Sequence, residues 1–312
     1  MTLHRPASRR LTRRVLAGAA ACAAVLAAGG CGTGEPAAPA GRTGPGAAVD
    51  VTVDDALHAA LPADVREAGV LTVGNDPSYP PASSFGPDGR TIVGFEPDLG
   101  AALGGLLGVE VRFEASPFDT LLEDLGDERF DLVMSAVTDT AEREQQADFV
   151  NYFRAGSSIV VARGNPAGIH DLAGLCGRSV AVEAGTVQVG LLQRAQASCP
   201  SRIDVHELPT NDDALLELRT GRADAVLADY PPAVFVTTDP RTQNAYQLVS
   251  DTQYEPGLYG IAVAPDRAGL RDVLAAALQR LVDDGVYQQL LDRWEVGHGA
   301  VTSVTVNGAL PG

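Results

Sequence analysis

Short apolar runs alternate with amphipathic segments along the chain from about residue 54 onward. The runs rich in branched residues predict strands at 70–74, 109–113, 131–135, 157–162, 178–183, 202–208, 224–228 and 258–264. The segments with apolar residues at helical spacing predict helices at 97–108, 117–126, 186–198, 211–221 and 266–285. Strands that alternate with helices predict an α/β fold with largely parallel sheets.

The first thirty residues have the pattern of an export signal rather than of a folded domain. Residues 1–14 are basic, and residues 15–30 are small and apolar but too few to span a bilayer. Cys31 follows directly, as in bacterial lipoprotein signals that are cleaved before a cysteine that is then lipidated. We predict a signal peptide over 1–30 and lipidation of Cys31. Ordinary cleavage near Ala28, or Cys22 as the acceptor, are the alternatives.

Residues 31–53 are rich in glycine, proline and alanine and lack apolar periodicity, which predicts a flexible tether. Residues 12–17, TRRVLA, are similar to a twin-arginine export signal, so both the general and the twin-arginine export routes are open. An anchor, a tether and a globular body together predict an extracytoplasmic protein that is lipid-anchored to the cell membrane.

The charge and the motif content exclude several classes of function. The net charge of −17 disfavours nucleic acid, since phosphate binding needs a basic face. The chain has no nucleophile elbow, no phosphate-binding loop and no zinc-protease motif, and its five histidines lie apart from one another. We therefore expect no catalytic site, no metal and no cofactor.

Two cysteines, Cys176 and Cys199, are left in the body of the chain. Outside the membrane, such a pair predicts a disulfide. A metal site is the alternative, but two cysteines without nearby histidines lack the ligands.

Seven sequence blocks, in this order, resemble those of the bacterial extracytoplasmic solute-binding proteins of family 3, which serve amino-acid ABC transporters. The blocks are GVLTVGNDPSYPP, VGFEPDL, FDLVMSAVTDTAERE, DLAGLCGRSVAVEAGT, GRADAVLADYPPA, YGIAV and DDGVYQQLLDRW. The resemblance covers roughly residues 60–300, and the combination of blocks carries it rather than any block by itself.

The resemblance implies a type II periplasmic-binding-protein-like fold, in which two crossover strands form a hinge between two α/β lobes. The expected bounds are 54–161 with 258–298 for lobe 1, 162–257 for lobe 2 and 299–312 for a C-terminal tail. The crossings are expected at 159–162 and 258–262. The ligand is expected between the lobes, which close on it.

The resemblance assigns the ligand carboxylate to Arg143, whose guanidinium can donate two parallel hydrogen bonds to it. Thr138 matches a hydroxyl residue on the same carboxylate, and Ala136 matches a position whose backbone carbonyl faces the ligand ammonium. From the residue alone, Arg143 is better explained as a surface ion pair with Glu142 or Glu144, and only its place in the family's sequence block favours the ligand carboxylate.

Asp229 matches the aspartate that binds the ligand ammonium in this family. From the residues alone it is a candidate helix cap, because it follows the predicted strand 224–228. Thr186 matches the start of a helix whose free backbone amides would help Arg143 bind the ligand carboxylate. The family usually has a second hydroxyl residue next, where this chain has Val187.

Four further positions match residues at the side-chain end of the ligand: Asp76, Tyr79, Phe118 and Glu183. The two aromatic rings are expected to sandwich the ligand side chain. The two acids favour a cationic or amide side chain over an acidic one.

The chain departs from the family pattern within the block that carries Arg143. Ala141 stands where a proline is usual, and Asp139 stands where an apolar residue is usual. The sequence assigns no role to Asp139.

We therefore predict the binding component of an ABC importer, which captures a free polar or basic amino acid and delivers it to a permease with its ATPase. We expect a monomer and not an enzyme. One alternative is a dehydratase of the cyclohexadienyl or arogenate type on the same fold, and another is a ligand sensor.

Overall fold

The computed structural model describes residues 51–309. The predicted signal peptide, the lipidation site at Cys31 and most of the predicted tether lie outside the described residues. The last residues assigned to the tether lie on the body, because Val51 packs against the apolar core and Asp54 donates its backbone N–H to Leu106 O at 2.9 Å.

Nine α-helices form within the described residues. They are α1 Asp55–Ala60, α2 Ala63–Ala68, α3 Phe95–Leu107, α4 Leu121–Gly126, α5 Val187–Gln196, α6 Asn211–Arg219, α7 Tyr230–Thr238, α8 Ala268–Asp283 and α9 Val286–Arg293. All five predicted helices are present. The hydroxyl of Thr210 caps α6 by accepting from Asp213 N.

Twelve strands form within the same residues. They are β1 Val70–Asn75, β2 Ser78–Tyr79, β3 Ser83–Phe85, β4 Ile92–Val93, β5 Glu110–Ala115, β6 Leu132–Val133, β7 Asp148–Ala162, β8 Ser179–Glu183, β9 Asp204–Leu208, β10 Ala225–Asp229, β11 Tyr246–Leu248 and β12 Tyr254–Val263. Every predicted strand corresponds to one of these. Strand β7 is much longer than predicted because its first half pairs with β12, a distant part of the chain.

The main sheet has the order β5-β1-β6-β12-β7-β10-β8-β9, with β11 also paired to β7. The strands at each end pair in parallel: β5, β1 and β6 on one side, and β10, β8 and β9 on the other. The central strands β12 and β7 are antiparallel to each other and to their outer neighbours. The prediction of largely parallel sheets is thus correct for the two ends and wrong for the centre.

The two lobes of the predicted type II fold are these two ends, and β7 and β12 connect them. Strand β7 pairs with β10 over Ser157–Val161, so it changes partner near Gly156, ahead of the crossing expected at 159–162. Strand β12 pairs with the first half of β7 from Gly257 onward. The exact lobe boundaries stay a prediction, and this pairing favours a change of lobe near 155–157 on β7 and near 254–257 on β12.

A disulfide joins Cys176 and Cys199 in the β8 lobe, as predicted. It ties the loop before β8 to the end of the segment after α5. A helix that could cross a lipid bilayer is not found among residues 51–309. The same residues hold no group of three or more histidine, cysteine, aspartate or glutamate side chains that could bind a metal ion.

Candidate ligand-binding cleft

A cleft lies where the parallel strands of both lobes end. In parallel sheets, the loops after the carboxyl ends of the strands are the usual place for a ligand. Its lining residues follow β1, β5, β6, β8 and β10 in the chain: Asp76, Tyr79, Phe118, Ser135, Ala136, Thr138, Arg143, Glu183, Thr186, Val187, Gln188 and Asp229. All nine residues that the sequence assigned to ligand binding are in this set.

Arg143 crosses the cleft from one lobe to the other. Its Nη1 donates to the backbone oxygen of Thr138 at 2.8 Å, and its Nη2 donates to the backbone oxygen of Gly185 at 2.9 Å. Its guanidinium lies 5.7 Å from the centroid of the Phe118 ring. Burial lowers the pKa of Arg143 to about 10, so the side chain stays cationic at neutral pH.

The alternative explanation, a surface ion pair of Arg143 with Glu142 or Glu144, is not found among the contacts of residues 51–309, in which the guanidinium bonds to these two carbonyls. Backbone carbonyls orient a guanidinium without neutralising its charge. Each of the two nitrogens carries a second N–H, so the same side chain has donors for a ligand carboxylate.

Ala136 has a left-handed backbone conformation, with φ of +49°, which non-glycine residues rarely adopt. The carboxylate of Glu96 supports it by accepting from Ala136 N at 2.6 Å. Glu96 is fully buried and also accepts from Asn75, Ser83 and Tyr152. This anchor fixes the loop after β6, so that Ala136 and Thr138 face the cleft.

Asp229 is buried on the β10 lobe, at the residue before α7. It occupies the cap position, but its carboxylate does not cap the helix: Oδ1 accepts from Gln188 Nε2 at 2.6 Å, and Oδ2 accepts from Tyr259 OH at 2.7 Å. Its backbone N–H donates to Tyr79 OH at 2.8 Å, across the lobes. Burial raises the pKa of Asp229 to about 6, against the effect of these hydrogen bonds.

Asp76 and Glu183 bring two buried carboxyl groups together from opposite lobes. Burial raises the pKa of Glu183 to about 9, and the neighbouring Asp76 adds to the rise. Burial also raises the pKa of Asp76, although Ser78 N donates to its Oδ1 at 2.8 Å. Asp212 stands nearby, and partial desolvation and the charge of Asp76 raise its pKa. This end of the cleft is therefore short of positive charge.

Glu183 Oε1 is buried and accepts no hydrogen bond from an N–H or hydroxyl donor in the described part of the chain. The Glu183 carboxyl group lies within hydrogen-bonding reach of the Asp76 carboxyl group, so the two acids can share a proton while no ligand is bound. A buried polar atom without a partner costs about 1–3 kcal/mol, so such atoms are uncommon in folded proteins. The acidic end of the cleft thus contains an acceptor that a donor from a ligand would satisfy.

Thr186 precedes α5, and its hydroxyl donates to Glu183 O at 2.7 Å rather than capping the helix. The first residues of α5, Val187 and Gln188, line the cleft, and Arg143 bonds to Gly185 O just ahead of them in the chain. A helix N-terminus attracts anions through its free amides and its dipole.

Four site residues were not predicted from the sequence. Ser135, Val187 and Gln188 line the cleft, and Tyr259 bonds to Asp229 from strand β12. Ser135 and Gln188 were within reach of prediction, because each lies next to an assigned residue on a loop or first helical turn. Tyr259 gave no such signal, since a tyrosine in a central strand is ordinarily a core residue.

Comparison with known proteins gives one family. The sequence profile of the bacterial extracellular solute-binding proteins, family 3, matches residues 71–298. The chain is similar to the arginine-binding protein ArgT of Corynebacterium glutamicum, with 30% identity over 256 residues, or 80% of this chain and 82% of that protein. It is 32% identical over 235 residues to the L-cystine-binding protein TcyJ of Escherichia coli, covering 74% and 84% of the two chains.

Solved structures give the same answer for the fold. An ancestral arginine-binding protein bound to arginine matches with a TM-score of 0.67 and 31% identity, covering 72% of this chain and 98% of that one. The ancestral amino acid-binding protein AncCDT-1, a precursor of cyclohexadienyl dehydratase, matches with a TM-score of 0.67 and 29% identity, covering 74% and 97%.

Proposed function

The chain belongs to family 3 of the bacterial extracellular solute-binding proteins, and we propose that it captures a free cationic amino acid, with arginine as the first candidate. The observation that carries this proposal is the acidic end of the cleft, where the buried carboxyl groups of Glu183 and Asp76 face each other and Glu183 Oε1 accepts no hydrogen bond from an N–H or hydroxyl donor in the described chain.

A free α-amino acid is a zwitterion, and burying it is costly unless each charge is paired. Arg143 and Asp229 supply one cationic and one acidic group close enough for their charges to interact. Arg143 would bind the carboxylate, with Thr138 and the start of α5 as additional donors. Asp229 would bind the ammonium, together with the backbone carbonyl of Ala136.

The acidic end would then select the side chain. A guanidinium or ammonium group placed between Asp76 and Glu183 would donate to Glu183 Oε1 and offset the repulsion of the two carboxylates. Tyr79 and Phe118 are positioned as apolar walls for the aliphatic part of such a side chain. An acidic ligand would instead add negative charge to a cleft that already lacks positive charge.

Membership of the family supports a role in transport. Arginine-binding and cystine-binding proteins are among the relatives of this chain. We propose that Cys31 anchors the chain to the outer face of the cell membrane, that the lobes close on the ligand as a monomer, and that the closed form delivers it to an ABC permease with its ATPase.

The first experiment identifies the ligand. The purified chain is denatured, and mass spectrometry of the released small molecules is followed by calorimetry with L-arginine, L-lysine, L-citrulline, L-cystine and L-glutamate. We expect arginine to be released and to bind more tightly than its neutral analogue citrulline. Tighter binding of glutamate or cystine would refute the assignment of the acidic end.

A dehydratase is the second candidate, favoured by the similarity to a precursor of cyclohexadienyl dehydratase. Glu183 would then act as the general acid, since its raised pKa keeps it protonated at neutral pH. An assay with prephenate and L-arogenate tests this candidate, and turnover that is lost in Glu183→Gln would support it over simple binding.

A further inference from the structure

Residues 304–309, which we name the C-terminal clasp, lie beyond the part of the chain that the family profile matches. The clasp runs along the beginning of β7. Val306 forms an antiparallel bridge with Val150, Asn151 N donates to Thr305 O at 2.9 Å, and Asn307 N donates to Phe149 O at 2.9 Å. The clasp thus continues the hydrogen bonding of β7, a strand that connects the two lobes.

The clasp ends on two carboxylates that flank Arg143 in the sequence. Gly308 N donates to Asp139 Oδ2 at 2.8 Å, and Ala309 N donates to Glu144 Oε1 at 3.1 Å. Asn151, on β7, donates to the same Asp139 oxygen through Nδ2 at 2.9 Å. Asp139, to which the sequence assigned no role, is therefore the residue through which the clasp contacts the Arg143 loop.

Asp139 is also hydrogen-bonded to strand β12. Its backbone N–H donates to Leu258 O at 2.7 Å, and its side chain is 2% exposed. The residue before it is Thr138, whose carbonyl accepts from Arg143 Nη1. A movement of Asp139 would therefore move the carbonyl that orients the guanidinium, because the two residues share a peptide bond.

A buried carboxylate is stable when donors surround it and costly when they are removed. In the described chain, Asp139 Oδ2 accepts from an asparagine amide and from the clasp, whereas Oδ1 is buried and accepts no hydrogen bond from an N–H or hydroxyl donor. Loss of the two Oδ2 donors would therefore leave the whole carboxyl group without donors. An apolar residue at this position, as is usual in the family, could not accept hydrogen bonds from these donors. The acid at position 139 and the extra C-terminal segment thus complement each other chemically.

We propose that the C-terminal clasp is a positioning element of the ligand site, which sets the affinity by holding the Arg143 loop through Asp139 and Glu144. This inference rests on the proposed function for its binding measurement. Its structural part, the ordering of the loop at 138–147, does not depend on the ligand.

The test uses the full mature chain and four variants. Asp139→Ala removes the acceptor, and Asp139→Asn keeps an acceptor oxygen for Asn151 and Gly308. Gly308→Ala disturbs the clasp from its other side, because a Cβ there would lie 2.7 Å from Asn151 Oδ1 and 2.8 Å from Thr305 Oγ1. Gly297→Ala is the matched control, since a Cβ at Gly297 meets nothing within 4 Å.

Two quantities are measured on each variant: the affinity for L-arginine by calorimetry, well below the melting temperature, and hydrogen–deuterium exchange of residues 138–147 without ligand. We expect Asp139→Ala and Gly308→Ala to bind L-arginine about tenfold more weakly and to exchange faster in that loop. Asp139→Asn should stay within about twofold of the parent, and Gly297→Ala should match the parent.

Unchanged affinity in both Asp139→Ala and Gly308→Ala would overturn the proposal, even if both variants melt at a lower temperature. If the parent chain does not bind L-arginine, the proposed function has failed, and hydrogen–deuterium exchange alone then tests whether the clasp positions the loop. Faster exchange in 138–147 of Gly308→Ala would then support the positioning role, and faster exchange confined to 304–309 would overturn it.

Discussion

The two ends of the cleft differ in how far the protein satisfies its own polar groups. At one end, Arg143 bonds to two backbone carbonyls, and Asp229 accepts from Gln188 and Tyr259. At the other end, burial and the neighbouring Asp76 raise the pKa of Glu183 to about 9, and its Oε1 accepts no hydrogen bond from an N–H or hydroxyl donor within residues 51–309.

This difference indicates two separate tasks. The first end is preorganised, since its charged groups are held in place by neutral donors and acceptors that leave their charge for a ligand. It suits the carboxylate and ammonium that all amino acids share. The second end lacks a cation, so under the proposed function a ligand that supplies one would be favoured over its neutral analogue.

Replacing Arg143 should have the largest effect, because it makes both ends of the cleft acidic. We expect Arg143→Ala to weaken L-arginine binding by a hundredfold or more, at a cost of about 3–5 kcal/mol for a buried ligand carboxylate left unpaired. Calorimetry measures the affinity, and circular dichroism checks that the fold is kept.

The matched control is Arg112→Ala, which removes an exposed arginine paired with Glu110 on β5. It should bind like the parent. An affinity of Arg143→Ala within tenfold of the parent would contradict the assignment of the carboxylate to Arg143.

Replacing Glu183 should have a smaller and more selective effect, because it changes the acidic end and leaves the other end intact. Glu183→Gln should weaken L-arginine by about 2 kcal/mol, or roughly thirtyfold, and leave L-citrulline nearly unchanged. Calorimetry with the two ligands measures the ratio.

Glu207→Gln is the control for this change, since Glu207 is an exposed glutamate on β9 outside the cleft. Equal losses of affinity for arginine and citrulline in Glu183→Gln would mean that Glu183 shapes the cleft but does not discriminate between charged and neutral ligands.

The pH dependence should give the smallest of the three effects. Glu183 holds a proton up to about pH 9 in the absence of a cation, and a bound guanidinium would displace that proton. Between pH 7 and 8 the affinity for L-arginine should therefore rise by up to about tenfold. This window lies above the pKa values of about 6 that burial gives Asp139 and Asp229.

Calorimetry in buffers of different ionisation enthalpy measures the proton released on binding, and Glu183→Gln should abolish the release in this window. No release from the parent would refute the displacement. The stability of the ligand-free fold should change with pH in the opposite direction from the affinity. The pKa of Glu183 rises on folding from 4.5 to about 9, so protonated Glu183 stabilises the fold at low pH. This contribution is lost as the pH rises toward 9.

Much of the cleft was predictable because its residues follow strands in recognisable blocks. Asp76, Glu183 and Asp229 each come directly after, or at the end of, a parallel strand. Tyr259 was not predictable, because its hydroxyl reaches Asp229 through the pairing of β12 with β7. Gln188 depends on the exact start of α5, which sequence patterns do not fix to the residue.

Asp139 shows the limit of the sequence most clearly. Its donors come from Asn151 and Gly308, and Gly308 is far away in the chain. Local propensity and spacing carry no information on such a contact, so the residue looked like a departure from the family without a reason.

The sequence by itself determined the α/β class, the family, the disulfide and the types of residue that the cleft needs, because these depend on periodicity, on composition and on short motifs. Only the tertiary structure decided which polar groups satisfy one another: the carbonyls that orient Arg143, the tyrosine and glutamine on Asp229, the facing carboxyl groups of Glu183 and Asp76 and the clasp on Asp139. Burial and hydrogen bonding between distant segments set these partners, and both arise only when the chain is folded.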